Sequence, residues 1–146
     1  MQPQQIHSLN SMPGRFVDRV FLGGDYRHGS LIKAMEDSVV DCGMTPIIPW
    51  QFGIKPGTER DSSLLLLEKC KFAIIEVSSD AGQMVELDNA DRFRTIVLCL
   101  WDASVYDKPR ISAMVTSNLL FKANNKGYRT IRELQYLVYD FLPGDE

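Results

Sequence analysis

Apolar and polar residues follow two different periods along the chain, and segments of the two kinds alternate. Five short runs are rich in apolar and β-branched residues, which is the pattern of strands that a parallel sheet buries on both faces. These runs predict strands over residues 19–24, 45–50, 71–77, 95–101 and 118–122, of which the last, NLLFK, has the weakest pattern.

The segment after the first predicted strand has the spacing of an amphipathic helix. Leu31, Met35 and Val39 recur every four residues. Ser30 is placed to cap the start of this helix, and Gly43 is placed to end it.

Two further helices are predicted by the same spacing. A short Leu-rich helix is expected over residues 62–70, with Asp61 as its N-cap. The final segment, TIRELQYLVYDFL, is bounded by Pro143 and Gly144. Its apolar residues fall on one helical face, at Ile131, Leu134, Leu137, Val138 and Phe141.

The alternation of strand and helix predicts the fold class. Parallel neighbouring strands need crossover connections, and these are usually helical. The 146 residues are enough for one domain with a core. We expect a single α/β domain over residues 16–146, with a five-stranded parallel sheet and helices on both faces in a doubly wound, flavodoxin-like arrangement. The polar residues 1–15 are expected to form a flexible tail.

Composition and charge narrow the classes of function. The chain has 16 Lys and Arg against 19 Asp and Glu and no basic run, so we expect no nucleic acid polymer as a partner. No apolar run is long enough to span a bilayer, and the polar start lacks a secretory signal, which predicts a cytoplasmic protein without a membrane partner. The three cysteines lie in apolar segments and the two histidines are far apart, so we expect reduced core thiols and no metal site.

Candidate functional residues follow the predicted strands, because ligands of open parallel sheets bind beyond the carboxyl ends of the strands. The residues concerned are 23–26, 50–53, 78–86 and 101–106. The paired Gly23 and Gly24 allow the backbone to approach a ligand closely, or they simply permit a tight turn. Trp50 is placed either to stack on a nucleobase or to cover the end of the core.

The segment SSDAGQMVELDNA, residues 78–90, carries the strongest candidates. Asp80 and Gln83 have the spacing of a capping box, and the helix dipole stabilises acidic residues near a helix start. Glu86 lies beyond the first turn, on a stripe with Ala90 and Phe93. A partly desolvated carboxylate at a ligand crevice is a candidate functional group, and an ordinary solvated glutamate is the alternative.

Three segments together resemble the nucleoside 2-deoxyribosyltransferase family. They are VFLGGDY at the first strand end, the strand FAIIEV, and DAGQMVELDNA, which is similar to the family's D-x-G-x-x-x-E-L-G-x-A segment. The residues that match this segment are Asp80, Gly82, Glu86, Leu87 and Ala90. The resemblance implies a five-stranded parallel sheet flanked by helices and a sugar-transfer activity.

By that resemblance, Glu86 is the nucleophile that attacks the anomeric carbon of a nucleoside, and Asp80 is its acidic partner. Phe21 stands where members often have a tyrosine that orients the nucleophile, and Asp88 replaces the usual glycine. Members complete their pockets with a neighbouring subunit, which makes a homo-oligomer a candidate state. The substrate-binding residues expected from the loops and the resemblance are Gly23, Gly24, Asp25, Tyr26, Trp50, Asp61 and Gly82.

A second resemblance is to Toll/interleukin receptor-like domains that cleave NAD, carried by RVFLGGDYRHGS. In both families a carboxylate captures an oxocarbenium-like centre while an acid assists departure of the base. We therefore expect an enzyme that cleaves or transfers the N-glycosidic bond of a small-molecule nucleoside or nucleotide without a cofactor. The alternatives are an NAD glycohydrolase and a non-catalytic module that binds a nucleotide or another protein.

Overall fold

Five parallel strands form one sheet in the computed structural model, which describes residues 11–24, 29–52, 60–78, 89–104, 122 and 124–143, with the backbone alone of residues 60–63. The strands are β1 (Arg19–Gly23), β2 (Thr45–Ile47), β3 (Phe72–Glu76), β4 (Ile96–Asp102) and β5 (Asn125–Tyr128). The α-helices with bounds among these residues are α1 (Gly29–Asp41), α2 (Arg60–Glu68) and α3 (Ile131–Phe141), and 3₁₀ helices cover Phe16–Asp18 and Pro49–Phe52. None of the described helices is long and apolar enough to cross a membrane.

The strand order is β2-β1-β3-β4-β5, and each neighbouring pair is parallel. The predicted α/β, doubly wound class is therefore confirmed. β2 and β3 lie on opposite sides of β1, so the strand order reverses there. The carboxyl ends of β1 and β3 form the topological switch point at which such sheets bind ligands.

Alternate strand residues pack into two apolar cores, one on each face of the sheet. The face covered by α1 and α3, here the α1–α3 face, contains Val20, Leu22 and Ile74. The opposite α2 face contains Phe21, Ala73 and Ile75 together with Leu66 and Leu67 of α2. Because both faces are covered, the inner strands β1, β3 and β4 have continuous apolar sequences rather than alternating ones.

Thr130 caps the start of helix α3, and one apolar face of the helix packs into the core. The Thr130 side-chain oxygen accepts a hydrogen bond from the backbone N–H of Glu133 at 3.1 Å. Leu134 and Val138 are fully buried, as the sequence predicts. Ile131 is predicted on the same face, but it lies in the first turn and is 43% exposed.

Two predicted boundaries are wrong, at the end of β2 and at the start of α2. β2 ends at Ile47, before the predicted end at residue 50, because Pro49 has no N–H for a strand ladder and begins a 3₁₀ helix instead. Trp50 lies in that 3₁₀ helix. α2 begins at Arg60, so Asp61 is its second residue and not its N-cap.

The predicted strand at residues 118–122 lies outside the described residues except for Lys122, which is helical, and the fifth strand of the described sheet is β5, Asn125–Tyr128. Among the described strands β5 pairs with β4 alone, so it is an edge strand. The indole of Trp101 covers Gly127, where an added Cβ would lie 2.8 Å from Trp101 Cζ2. The strand pairs with β4, packs under the Trp101 ring at Gly127 and contributes one residue, Tyr128, to the core.

The described part of the predicted tail contacts the domain. The Arg19 guanidinium donates to the carbonyl oxygens of Pro13 at 2.9 Å and Gly14 at 2.8 Å. Met12 packs against the core of the α2 face. Residues 12–14 are therefore held near the start of β1, and residues 1–10 lie outside the described residues.

The three cysteines are free thiols. Cys70 and Cys99 are buried in the core of the α2 face, as the sequence predicts. Cys42 is only partly buried, at the end of α1.

Candidate functional site

Gly24 brings the end of β1 against the end of β3. Its φ is +155°, and a Cβ atom at this position would lie 3.3 Å from the Cβ of Glu76 and 3.6 Å from the Cδ1 of Ile32. Glycine meets both requirements, because it tolerates positive φ and has no side chain to press on Glu76. The paired glycines found in the sequence thus lie at the switch point.

Glu76, the last residue of β3, carries a buried carboxyl group at this edge of the sheet. It is only 7% exposed. Its Oε2 accepts a hydrogen bond from the Tyr128 hydroxyl at 2.6 Å, and its Oε1 accepts one from the backbone N–H of Ser78. A buried carboxyl group needs such partners, because leaving it without them would cost several kcal/mol.

The hydrogen bonds continue from β3 to β4. The backbone N–H of Asp102 donates to the Ser78 hydroxyl oxygen at 2.6 Å. The Asp102 carboxyl group in turn accepts from the backbone N–H of Ser104 at 2.9 Å. Glu76, Ser78, Asp102 and Tyr128, hereafter the edge network, therefore link the carboxyl ends of β3, β4 and β5.

Tyr128 acts in this network as a neutral donor. Its side chain is 3% exposed, and burial is the main cause that raises its pKa above the ordinary value for tyrosine. The hydrogen bond to Glu76 raises that pKa further, because ionising the phenol would place two negative charges together. The hydroxyl proton therefore stays on Tyr128 and points to the carboxyl group.

Most of the predicted site residues lie outside the described residues. This holds for Asp25, Tyr26, Asp80, Gly82 and Glu86. Asp61 lies in α2, where the backbone alone is described. Ser78 of the edge network directly precedes the segment 79–88 in the sequence.

The two tryptophans lie against opposite faces of the sheet. Trp50 packs against the core of the α1–α3 face, whereas Trp101 packs against the core of the opposite face. The Trp101 indole N–H also donates to the side-chain oxygen of Asn125 at 3.2 Å. Each ring thus contacts a core, and the stacking of Trp50 on a nucleobase stays a prediction.

Sequence reasoning missed two members of the edge network. Glu76 could have been identified from the sequence, because it is the one charged residue within the apolar run FAIIEV. Tyr128 was missed because the fifth strand was predicted at residues 118–122. Ser78 and Asp102 fall within the loops that the sequence identified as candidates.

Comparisons with known proteins assign no family. No protein-family model matches the chain, and no curated protein matches it significantly. Within the described residues, no three His, Cys, Asp or Glu side chains are grouped to hold a metal ion. The observations that bear on function are therefore the strand order and the edge network.

Proposed function

We propose that the chain is an enzyme that cleaves or transfers the N-glycosidic bond of a nucleoside or nucleotide, with Glu86 as nucleophile and Asp80 as acid. The strand order carries this proposal. β1 and β3 are neighbours and parallel, so their carboxyl ends are side by side. The two segments that resemble the deoxyribosyltransferases leave those two ends, one after Gly23 and one after Glu76.

The proposed reaction needs two carboxyl groups in different protonation states. The Glu86 carboxylate forms a bond to the anomeric carbon as the bond from that carbon to the base nitrogen breaks, and Asp80 gives its proton to the departing base. Water or a second base then attacks the anomeric carbon and gives a proton to the Asp80 carboxylate, as the bond from that carbon to Glu86 breaks and the Glu86 carboxylate is released. Since Glu86 must be ionised and Asp80 protonated, their pKa values must differ.

The loop after β1 supplies the substrate contacts in this proposal. Gly23 and Gly24 lie buried at the switch point, and neither carries a side chain that would separate a ligand in the crevice from the backbone. Asp25 and Tyr26 follow them in the sequence and offer a carboxylate for sugar hydroxyls and a ring for the base. NAD contains the same kind of glycosidic bond and is a candidate substrate of the same site.

A nucleotide-binding module without turnover is the second candidate. Phe21 favours it, because its side chain is fully buried in the core of the α2 face. It brings no hydroxyl group to the crevice, whereas the resembling family often uses a tyrosine here to orient the nucleophile. Such a module would bind in the same crevice and leave the ligand intact.

The test is a chromatographic assay for released base. The purified protein is incubated with nucleosides, deoxynucleosides, their monophosphates and NAD, beside the variants Glu86→Gln and Glu68→Gln. We expect wild-type protein to release base from at least one compound and Glu86→Gln to lower the rate by about 10³-fold or more, the scale seen when a nucleophile is removed. Glu68 is exposed at the end of α2, so Glu68→Gln should match wild type.

Two outcomes would contradict the enzyme. Equal release by wild type and Glu86→Gln would remove Glu86 from the reaction. Binding of a nucleotide by isothermal titration, without release of base from any compound, would favour the module instead.

A further inference from the structure

The guanidinium group of Arg19 links two separate segments of the chain at the amino ends of the strands. Its Nε and Nη2 atoms donate to the carbonyl oxygens of Pro13 at 2.9 Å and Gly14 at 2.8 Å. Its Nη1 atom donates to the carbonyl oxygen of Lys69 at 3.2 Å, between α2 and β3. The planar guanidinium presents five N–H groups in a fixed fork, whereas a lysine has a single donor nitrogen and cannot reach the same set of acceptors.

Residues 12–14, hereafter the strap, have a conformation that their own sequence specifies. Met12 packs its side chain against the core of the α2 face. Pro13 has a restricted φ, and Gly14 has a φ of +74°, which favours glycine. Gly14 also lies against the start of β2, because an added Cβ would be 2.6 Å from Oγ1 of Thr45. A larger residue at position 14 would therefore push the strap away from the domain.

Cys70 is the cysteine closest to the place where Arg19 joins the strap to the domain. It directly follows Lys69, and its side chain is buried in the same core that Met12 contacts. Burial raises the pKa of the Cys70 thiol to about 12, and the positive charge of Arg19 acts in the opposite direction, as expected for a guanidinium near the sulfur. Reaction of this thiol with a reagent therefore reports on exposure of the core at this end.

The strap is held less firmly than the strands. The bonds from Arg19 to Gly14 and to Lys69 are exposed to solvent. Cys99, by contrast, is fully buried in β4, which is paired with β3 on one side and with β5 on the other. Segments with exposed hydrogen bonds and few buried contacts open at a lower free energy than central strands.

We propose that the strap is a detachable cover over the amino end of the α2-face core, that Arg19 holds it closed, and that it opens without unfolding of the sheet. Opening exposes Cys70 while Cys99 stays buried. The strap lies at the amino ends of the strands, whereas the proposed reaction uses their carboxyl ends. Its opening is therefore independent of the proposed function.

The test measures alkylation of Cys70 and of Cys99 separately in the native protein. The protein is treated with iodoacetamide at several urea concentrations, and mass spectrometry gives the rate at each cysteine. In wild-type protein we expect Cys70 to react about tenfold faster than Cys99, because it has a local route to exposure. The Cys70 rate should also depend less on urea, because opening of the strap exposes less surface than unfolding of the whole protein.

Two variants open the strap by different means. Arg19→Lys removes the fork of donors, and Gly14→Ala places a Cβ against Thr45 while Arg19 stays intact. We expect each to raise the Cys70 rate by about tenfold and to leave the Cys99 rate unchanged. Arg15→Lys is the matched control, because Arg15 is an exposed arginine next to the strap that is bonded to Asp18, and it should match wild type.

Three outcomes would overturn the proposal. In wild-type protein, equal urea dependence at Cys70 and Cys99 would mean that both are exposed by unfolding of the whole protein, and this comparison needs no variant to fold. A Cys70 rate in either Arg19→Lys or Gly14→Ala no higher than in Arg15→Lys would show that the strap does not cover Cys70. A parallel rise at Cys99 would show that the variants destabilise the whole fold instead of releasing the strap.

Discussion

Gly127 lies beneath the indole ring of Trp101 and has no room for a side chain. A Cβ atom there would be 2.8 Å from Cζ2 and 3.0 Å from Cη2 of the ring, and 3.1 Å from the Cβ of Ala103. These contacts are shorter than packed carbon atoms tolerate, and the ring is held by its hydrogen bond to Asn125. The position of the indole and the glycine in β5 therefore depend on each other.

We expect Gly127→Ala to lower the free energy of unfolding by about 1–3 kcal/mol, the usual cost of overpacking a filled site. Gly29→Ala is the matched control, because no described heavy atom lies within 4 Å of a Cβ at Gly29. Because Gly29 is the first residue of α1, Gly29→Ala should leave the free energy of unfolding unchanged or raise it by about 0.5–1 kcal/mol. Urea denaturation measures both, and equal effects of the two changes would contradict the packing argument.

Single residues differ in how far the sequence reveals them. The paired Gly23 and Gly24 are visible as a break after an apolar run, and Gly24 does have a conformation that favours glycine. Glu76 is harder to interpret, because two of its hydrogen-bond partners, Ser78 and Tyr128, come from different parts of the chain. Tyr128 is 52 residues away from it in sequence. Local pattern carries no information on a pair of that separation.

At the scale of elements, Thr130 decides where α3 begins. Its extended backbone, with φ of −136°, and its side-chain bond to the Glu133 N–H satisfy a helix terminus that would otherwise be unpaired. Thr130 is exposed, so its cap contributes without core packing. The cap can thus be changed without disturbing the buried face of the helix.

We expect Thr130→Ala to lower the free energy of unfolding by about 1 kcal/mol, because the Glu133 N–H loses its acceptor. Thr130→Ser keeps a hydroxyl oxygen at the cap and should stay close to wild type. The measurement is the urea midpoint at a constant slope. Equal loss in Thr130→Ala and Thr130→Ser would show that the threonine contributes through its methyl group and not as a cap.

The elements that the sequence predicts best are those whose own side chains form the core. β3 and β4 are central strands with buried residues on both faces, so hydrophobicity alone identifies them. β2 and β5 occupy the two edges of the sheet. β2 is shortened by Pro49, and β5, with the sequence NKGY, contributes only Tyr128 to the buried core, so neither boundary could be predicted from apolar runs.

At the scale of the whole molecule, the alternation of elements predicts the fold class but not the edge network. The class follows because parallel strands need crossovers, and this requirement is independent of detailed packing. The network depends on strand neighbours, which bring Glu76 and Tyr128 together from separate segments. The sequence therefore identifies the candidate crevice, while the side chains that organise it become visible only in the folded chain.

The free energy of unfolding of the whole protein depends on pH in the alkaline range, because titratable groups are buried on both faces of the sheet. Burial raises the pKa of Cys70 and of Cys99 to about 12. Burial and Glu76 raise the pKa of Tyr128 as well, on the other face. In each case the folded protein favours the neutral form, whereas the unfolded chain ionises near the ordinary pKa values of ~8.5–9 for thiols and ~10 for tyrosine.

The sign of the pH effect follows from proton binding. Above pH ~9 the unfolded chain binds fewer protons at Cys70 and Cys99 than the folded chain, so the free energy of unfolding falls as pH rises toward ~12. Each buried thiol contributes a slope of up to ~1.4 kcal/mol per pH unit in this window, and Tyr128 adds to the slope above pH ~10. Below pH ~9 the thiols are neutral in both the folded and the unfolded chain, so their ionisation takes nothing from the free energy of unfolding.

We expect a variant with Cys70→Ala and Cys99→Ala to lose most of the thiol slope between pH ~9 and ~11, because it has no buried thiol left to ionise on unfolding. Urea denaturation with a reducing agent at several pH values gives this slope directly, apart from any constant loss of stability due to the smaller side chains. Cys42→Ala is the control, since Cys42 is only partly buried and should contribute less. An unchanged slope in the double variant would mean that ionisation of these thiols does not lower the free energy of unfolding at high pH. The loss of stability would then come from Tyr128. Tyr128→Phe tests this in the same titration.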